Sequence, residues 1–246
     1  MSTTVEQPRP TQPVFPSVAA LFCKSSHDPL QVILAKASVS VWILKLDASR
    51  QSLTRARSIL SAFELARCER VVDPHRRGQM LLARAALRLI LAQQLEVPTA
   101  QVRILSSPSG RPVLAGEDAP SFSFSHCHGW AAIALSSLAR VGIDIEAARR
   151  PVPTALAARL LTPAEASSLG ELQLDRRREF LAHWTAKEAC AKVLDGGLAS
   201  NLHRLEIAEC MAARPRLLDP VLSYIDLRRL DLGPELHAAL AGHAIA

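Results

Sequence analysis

Val141-Gly142-Ile143-Asp144-Ile145-Glu146 reads as a β-strand with a period of two. Val141, Ile143 and Ile145 share one face, and Asp144 and Glu146 share the other. Two short strand patterns precede it, at 122–125 and 130–136, and a mostly helical stretch follows at 151–194, where Thr162 ahead of Pro163 and Glu165 marks a helix start. Strands meeting helices on both sides of one acidic strand set the class as mixed α/β.

On the N-terminal side, 39–46 has the apolar density of a buried strand, and 53–71 and 76–95 have helical spacing. Residues 102–114 read as a hairpin, broken by Ser107, Pro108, Ser109 and Gly110. On the C-terminal side strands return at 204–208, 221–227 and 236–240. Helices followed by strands thus occur twice. This divides the chain into α/β halves at 29–138 and 139–246, each a small sheet packed with helices, although no sequence repeat is visible. Residues 1–28, with Pro8, Pro10, Pro13 and Pro16 among polar neighbours, are expected to be a disordered tail.

With 246 residues and 49% hydrophobic side chains, the chain can bury a sizeable core. A net charge of +6 attracts polyanions. The basic residues are dispersed and aromatic residues are only 4% of the chain, so no nucleic-acid-binding pattern emerges. The absence of a long apolar run or of an apolar leader argues against a membrane or secreted protein. Five cysteines without a C-x-x-C pair argue for a reducing, cytoplasmic setting.

Four segments carry candidate chemistry. Asp144 and Glu146, side by side on one strand face, repel each other unless a cation such as magnesium lies between them, although water-facing acids on an amphipathic strand give the same pattern. In residues 179–192, helical spacing aligns Phe180, Trp184, Glu188 and Lys192. An i, i+4 acid and lysine are ordinarily a surface pair, but Trp184 on the same stripe favours partial burial. Ser125 and His126 can donate to a phosphate, while His126 with His128 leaves zinc open as an alternative. Gly110-Arg111-Pro112 presents a planar cation from a turn.

In this order, Gly110-Arg111-Pro112, Phe122-Ser123-Phe124-Ser125-His126, Gly142-Ile143-Asp144-Ile145-Glu146 and Trp184 through Lys192 resemble the motif series of 4′-phosphopantetheinyl transferases. The closest type serves nonribosomal peptide, polyketide and lysine-pathway carrier proteins. The resemblance implies a pseudo-dimer of two similar α/β halves, with coenzyme A bound in the cleft between them. It implies that Asp144, Glu146 and Glu188 hold Mg²⁺, that Arg111, Pro112, Ser125 and His126 contact the nucleotide part of coenzyme A, and that Arg67 adds a further contact. Lys187 would neutralise phosphate charge. Glu188 would be the general base, and Lys192 would bind and stabilise the leaving group. Acidic apo carrier proteins would be the partners of a monomeric enzyme. Ser123 stands where this family often has Asn, Asp195 at a usual Gly, and Arg111 at a commoner Lys. A degenerate member that binds without transferring, and a basic nucleic-acid-binding protein, are the rival readings.

Overall fold

The computed structural model describes residues 30–34, 37–46, 48–108, 110–169, 173–194 and 202–244; the tail at 1–28 and Asp195 lie outside them. The fold is α+β. Strands β1 (Leu30–Leu34) and β2 (Ala37–Lys45) are followed by helices α1 (Arg50–Ile59), α2 (Ala62–Glu69) and α3 (Pro74–Gln94). Strands β3 (Ile104–Ser106) and β4 (Pro112–Leu114) form a small hairpin, and β5 (Ser121–Cys127) and β6 (Trp130–Ser136) close an antiparallel sheet of order β1-β2-β6-β5. The acidic strand is β7 (Ala139–Ala147), followed by α4 (Thr154–Leu160), α5 (Pro163–Ser168) and α6 (Gln173–Val193). After the two-residue pair β8 (Ile207–Ala208) and β9 (Arg216–Leu217), β10 (Asp226–Leu230) and β11 (Leu236–Ala244) join β7 in a second antiparallel sheet, β10-β11-β7.

Strand alternation builds four layers. On β2 and β6, Trp42, Leu44, Ile133 and Leu135 pack with α3, while Val39, Val41, Ala132 and Ala134 face the second sheet. There they meet Val141, Ile143 and Ile145 of β7 and Ala238 and Leu240 of β11. Ala239 and Ala241, on the opposite face of β11, pack with α6. The order is therefore helix, sheet, sheet, helix, with both inner sheet faces dry.

Among the boundaries that differ from the sequence reading, two have a clear local cause. The expected helix at 53–71 is two helices, because Ser61 and Glu64 form a reciprocal capping box that starts α2. The expected strand at 221–227 begins at Asp226, since Asp219 caps a 3₁₀ turn at Pro220–Leu222.

One glycine decides how α6 approaches β7. A Cβ built on Gly142 would lie 2.1 Å from Ala189 O and 3.0 Å from Lys192 Cβ, so only a residue without a side chain lets the helix down onto the strand. Gly142→Ala is expected to cost about 3 kcal/mol or more, lowering the melting temperature by roughly 10 °C in a thermal unfolding scan.

Candidate active site

Asp144 and Glu146 project from β7 on the face opposite its dry one, and both are buried, at 5% and 6% exposure. This removes the water-facing alternative. Asp144 Oδ1 accepts from Lys192 Nζ at 2.8 Å and from Ser125 Oγ at 2.7 Å. Glu146 Oε1 is paired with Arg150, whose guanidinium lies 4.2 Å from the centre of the Trp184 ring. The second oxygens, Asp144 Oδ2 and Glu146 Oε2, are buried and have no hydrogen-bond partner. Two orphaned carboxylate oxygens on one strand face are costly unless something positive is bound between them.

The helix stripe lies where the spacing placed it. Phe180 is fully buried and meets Trp184 edge-on at 5.7 Å, while Glu188 and Lys192 follow, half-buried, toward the acidic strand. Lys192 Nζ donates to Ile143 O at 2.7 Å as well as to Asp144. Burial pushes the Glu188 pKa up, and the Asp144 charge adds to it. Burial also raises Glu146, against the pull of Arg150. Among the described residues no three acidic, histidine or cysteine side chains are already drawn into a finished ligand set. The fit to a cation therefore rests on the two orphaned oxygens and the neighbouring Glu188.

β5 presents different chemistry on its two sides. Ser121 Oγ and Ser123 Oγ accept the Val141 and Ile143 amides at 3.2 and 3.0 Å, and Ser125 reaches Asp144, so alternate serines stitch β5 to β7. Ser123, at the position where Asn is frequent in the resembling family, thus serves the seam. On the other side Phe124 stacks with His126, ring centres 6.2 Å apart. His126 retains solvent access, yet the surrounding protein and then Arg84 and Lys192 hold its pKa below the ordinary value. His128 does not share its side: with Gly129 it forms the β5–β6 turn at φ 35° and 84°. This leaves the zinc alternative without its second histidine.

Arg84 of α3 was missed in the sequence. It is 7% exposed, lies 5.7 Å from the centre of the Phe124 ring, and has no hydrogen-bond partner on its buried Nε. One turn later on the same helix, Arg88 is just as buried but is saturated by Glu64, Thr99 O and Val102 O. Arg67 of α2 stands near enough for its charge, after burial, to press the Arg84 pKa down. Arg84, Arg67 and His126 are therefore neighbouring donors, and the Arg84 Nε among them has no hydrogen-bond partner.

Three expected contacts are placed differently. Lys187, expected to neutralise phosphate, is fully buried and donates to Leu160 O at 2.8 Å and to Glu165. It is one residue from Glu188, about 100° around the helix, and so points into the core. Arg111 donates to backbone carbonyls of Lys192, Phe122 and Val141. Pro112 starts β4 opposite Ser106, half-buried.

Glu165 accepts from the Thr162 and Ile207 amides, both at 2.8 Å, with His183 beside it at 3.3 Å. Burial raises its pKa, but these partners and Lys187 outweigh it and hold the carboxyl at about 2. Its contribution to stability is complete above the ordinary glutamate value and is lost as pH falls from there through about 2. Lys187→Met strands this carboxylate and is expected to cost about 3–5 kcal/mol. Melting curves should show a clear fall.

Residues 140–241, which hold both β7 and α6, match the model of the 4′-phosphopantetheinyl transferase superfamily. The chain is 33% identical over 188 residues to the 4′-phosphopantetheinyl transferase HetI of Nostoc, covering 73% of this chain and 78% of that one. It is 28% identical over 163 residues to the L-aminoadipate-semialdehyde dehydrogenase-phosphopantetheinyl transferase of Xenopus laevis, covering 57% and 54%. A 4′-phosphopantetheinyl transferase of Bacillus pumilus is 27% identical over 158 residues, covering 63% and 66%. With a family model that runs through the acidic strand and the stripe of α6, and a relative 33% identical over 73% of the chain, the chain belongs to the 4′-phosphopantetheinyl transferase superfamily.

Proposed function

We propose that this transferase moves 4′-phosphopantetheine from coenzyme A to a serine of an acidic apo carrier protein, with Mg²⁺ held by Asp144, Glu146 and Glu188. The pair of buried, unpartnered oxygens on Asp144 and Glu146 carries this reading, because a hard cation is the partner that carboxylate oxygens at such a place require. The cation supplies charge neutralisation on the pyrophosphate.

The chain's own groups do the rest. Glu188, its carboxyl raised by burial, takes the proton from the serine hydroxyl. The serine oxygen forms a bond to the phosphorus attached to pantetheine, and the bond from that phosphorus to the bridging oxygen breaks, so that this oxygen leaves on adenosine 3′,5′-bisphosphate. Lys192 Nζ, with two protons committed to Ile143 O and Asp144 Oδ1, offers its third to the departing phosphate. Ser125 and Lys192 fix Asp144 from two sides. Arg84, Arg67 and His126, across β5 from Asp144, receive the 3′-phosphate of the nucleotide.

The acceptor is read from charge and shape. A groove of about 740 Å³ is floored by Val152, Leu161 and Phe180 and rimmed by Arg149, Arg176 and Arg177. An apolar floor with a basic rim suits an acidic amphipathic surface. We read the enzyme as a monomer, since the proposal draws every named group from one chain. Among the described residues no helix is long and apolar enough to cross a membrane, and Cys68, Cys127, Cys190 and Cys210 are free and buried, as a reducing cytoplasm would keep them.

Incubation with coenzyme A, Mg²⁺ and an apo carrier protein should add the phosphopantetheine mass to the carrier and release adenosine 3′,5′-bisphosphate, and chelation should stop both. A panel of carriers left entirely unmodified would overturn the reading.

A further inference from the structure

The guanidinium of Arg111 lies at the junction of the three elements that carry the reacting groups. One Nη donates to the carbonyl of Lys192, and the other donates to Phe122 O and Val141 O, each at 2.9 Å. Lys192 O belongs to the last turn of α6, where carbonyls lack helical partners and a cation is favoured. Phe122 O and Val141 O flank the β5–β7 seam, whose amides at Val141 and Ile143 are served by the hydroxyls of Ser121 and Ser123. Serine oxygens satisfy N–H groups along this seam, and Arg111 satisfies carbonyls.

We infer that Arg111 is a positioning residue for the reaction: it fixes the end of α6 against β5 and β7, so that Lys192 Nζ stays on Asp144. The inference rests on the reading of Asp144 and Lys192 as the reacting end of the site. Every bonded partner of Arg111 named here is three residues or fewer from a group in that site: Phe122 from Ser125, Val141 from Asp144, and Lys192 itself. A planar fork can span three carbonyls on three elements, whereas the ammonium of a lysine, three donors at one point, cannot. A direct contact with coenzyme A, the role the resemblance implies for this position, would instead spend the guanidinium on phosphate.

The two roles separate in kinetics. Arg111→Lys keeps the charge and loses the fork; Arg111→Ala loses both. With the full-length protein, Mg²⁺, coenzyme A and an apo carrier, both variants are expected to lose about a hundredfold in kcat, with the dissociation constant for coenzyme A within about threefold of the parent, assayed well below each melting temperature. A lysine variant with parental kcat overturns the inference, as does a selective rise in the KM for coenzyme A in the alanine variant. A lowered melting temperature with kcat intact also overturns it, because that is the mark of a purely structural tie. Should a variant fail to fold, the ¹⁵N signals of the Arg111 side chain in the parent protein decide: they are expected to stay put on titration with adenosine 3′,5′-bisphosphate, and a shift at saturation overturns the inference. Asp144→Ala, assayed alongside, keeps the outcomes distinct. Activity surviving there would overturn the site reading itself, whereas loss there with parental kcat in the lysine variant would overturn only the role of Arg111.

Discussion

Asp144→Ala is expected to lower transfer by about a thousandfold or more while leaving the circular dichroism spectrum of the folded protein unchanged. Asp144 joins more of the site than any other residue: Ser125 and Lys192 both hold its Oδ1, and its Oδ2 is one of the two buried oxygens without a partner. Truncation removes a proposed cation ligand and releases Lys192 to Ile143 O alone. The backbone need not move, because β7 is anchored by its ladder with β11 and by the dry face of Val141, Ile143 and Ile145. Calorimetric titration with Mg²⁺ in the presence of coenzyme A gives a readout independent of turnover: heat of binding in the parent and none in the variant. Glu188→Ala should behave alike in transfer. Parental turnover in either variant would remove that residue from the machinery.

How far the sequence revealed this site depended on how local each signal was. Asp144 and Glu146 were legible because a period of two is a property of a strand by itself. The stripe from Phe180 to Lys192 was legible for the same reason on a helix. Lys187 was misplaced through its neighbour, although the same helical geometry that aligned Glu188 with Lys192 already turned Lys187 toward the core. Arg111 could not be read from its turn, because its partners at Phe122, Val141 and Lys192 are brought to it only by the tertiary fold. The break between α1 and α2 was written in Ser61 and Glu64, but the apolar spacing ran through it and masked the cap. Arg84 left a signal that went unread: with Arg88 it places two arginines four residues apart in a run of leucine and alanine. On a helix that is buried all round, each must find a partner, and only tertiary structure reveals that Arg88 has one.

That missing partner makes Arg84→Met the most informative single change outside the acidic pair. A buried guanidinium whose Nε has no hydrogen-bond partner is a cost to the folded protein, so replacing it with an apolar side chain of similar length should leave the melting temperature unchanged or raise it. A residue that stabilised the fold would do the opposite. The loss should instead fall on the donor substrate. A charge-assisted hydrogen bond contributes about 1.5–3 kcal/mol, so the KM for coenzyme A should rise by about tenfold to a hundredfold, with kcat at saturation nearly kept, as expected for an interaction made equally in ground and transition states. The phosphate concerned, in the reading proposed above, is the 3′-phosphate. Ser125 hydrogen-bonds to Asp144, while Phe124 lies beside Arg84 of α3, so Arg84 and Asp144 meet opposite sides of β5. Comparing coenzyme A with 3′-dephospho-coenzyme A therefore isolates the effect. The parent should prefer coenzyme A strongly, and Arg84→Met should largely erase the preference by weakening coenzyme A alone. If the variant discriminated between the two donors as well as the parent does, Arg84, Arg67 and His126 would not be the seat of the 3′-phosphate, and the unpartnered Nε of Arg84 would need a different acceptor.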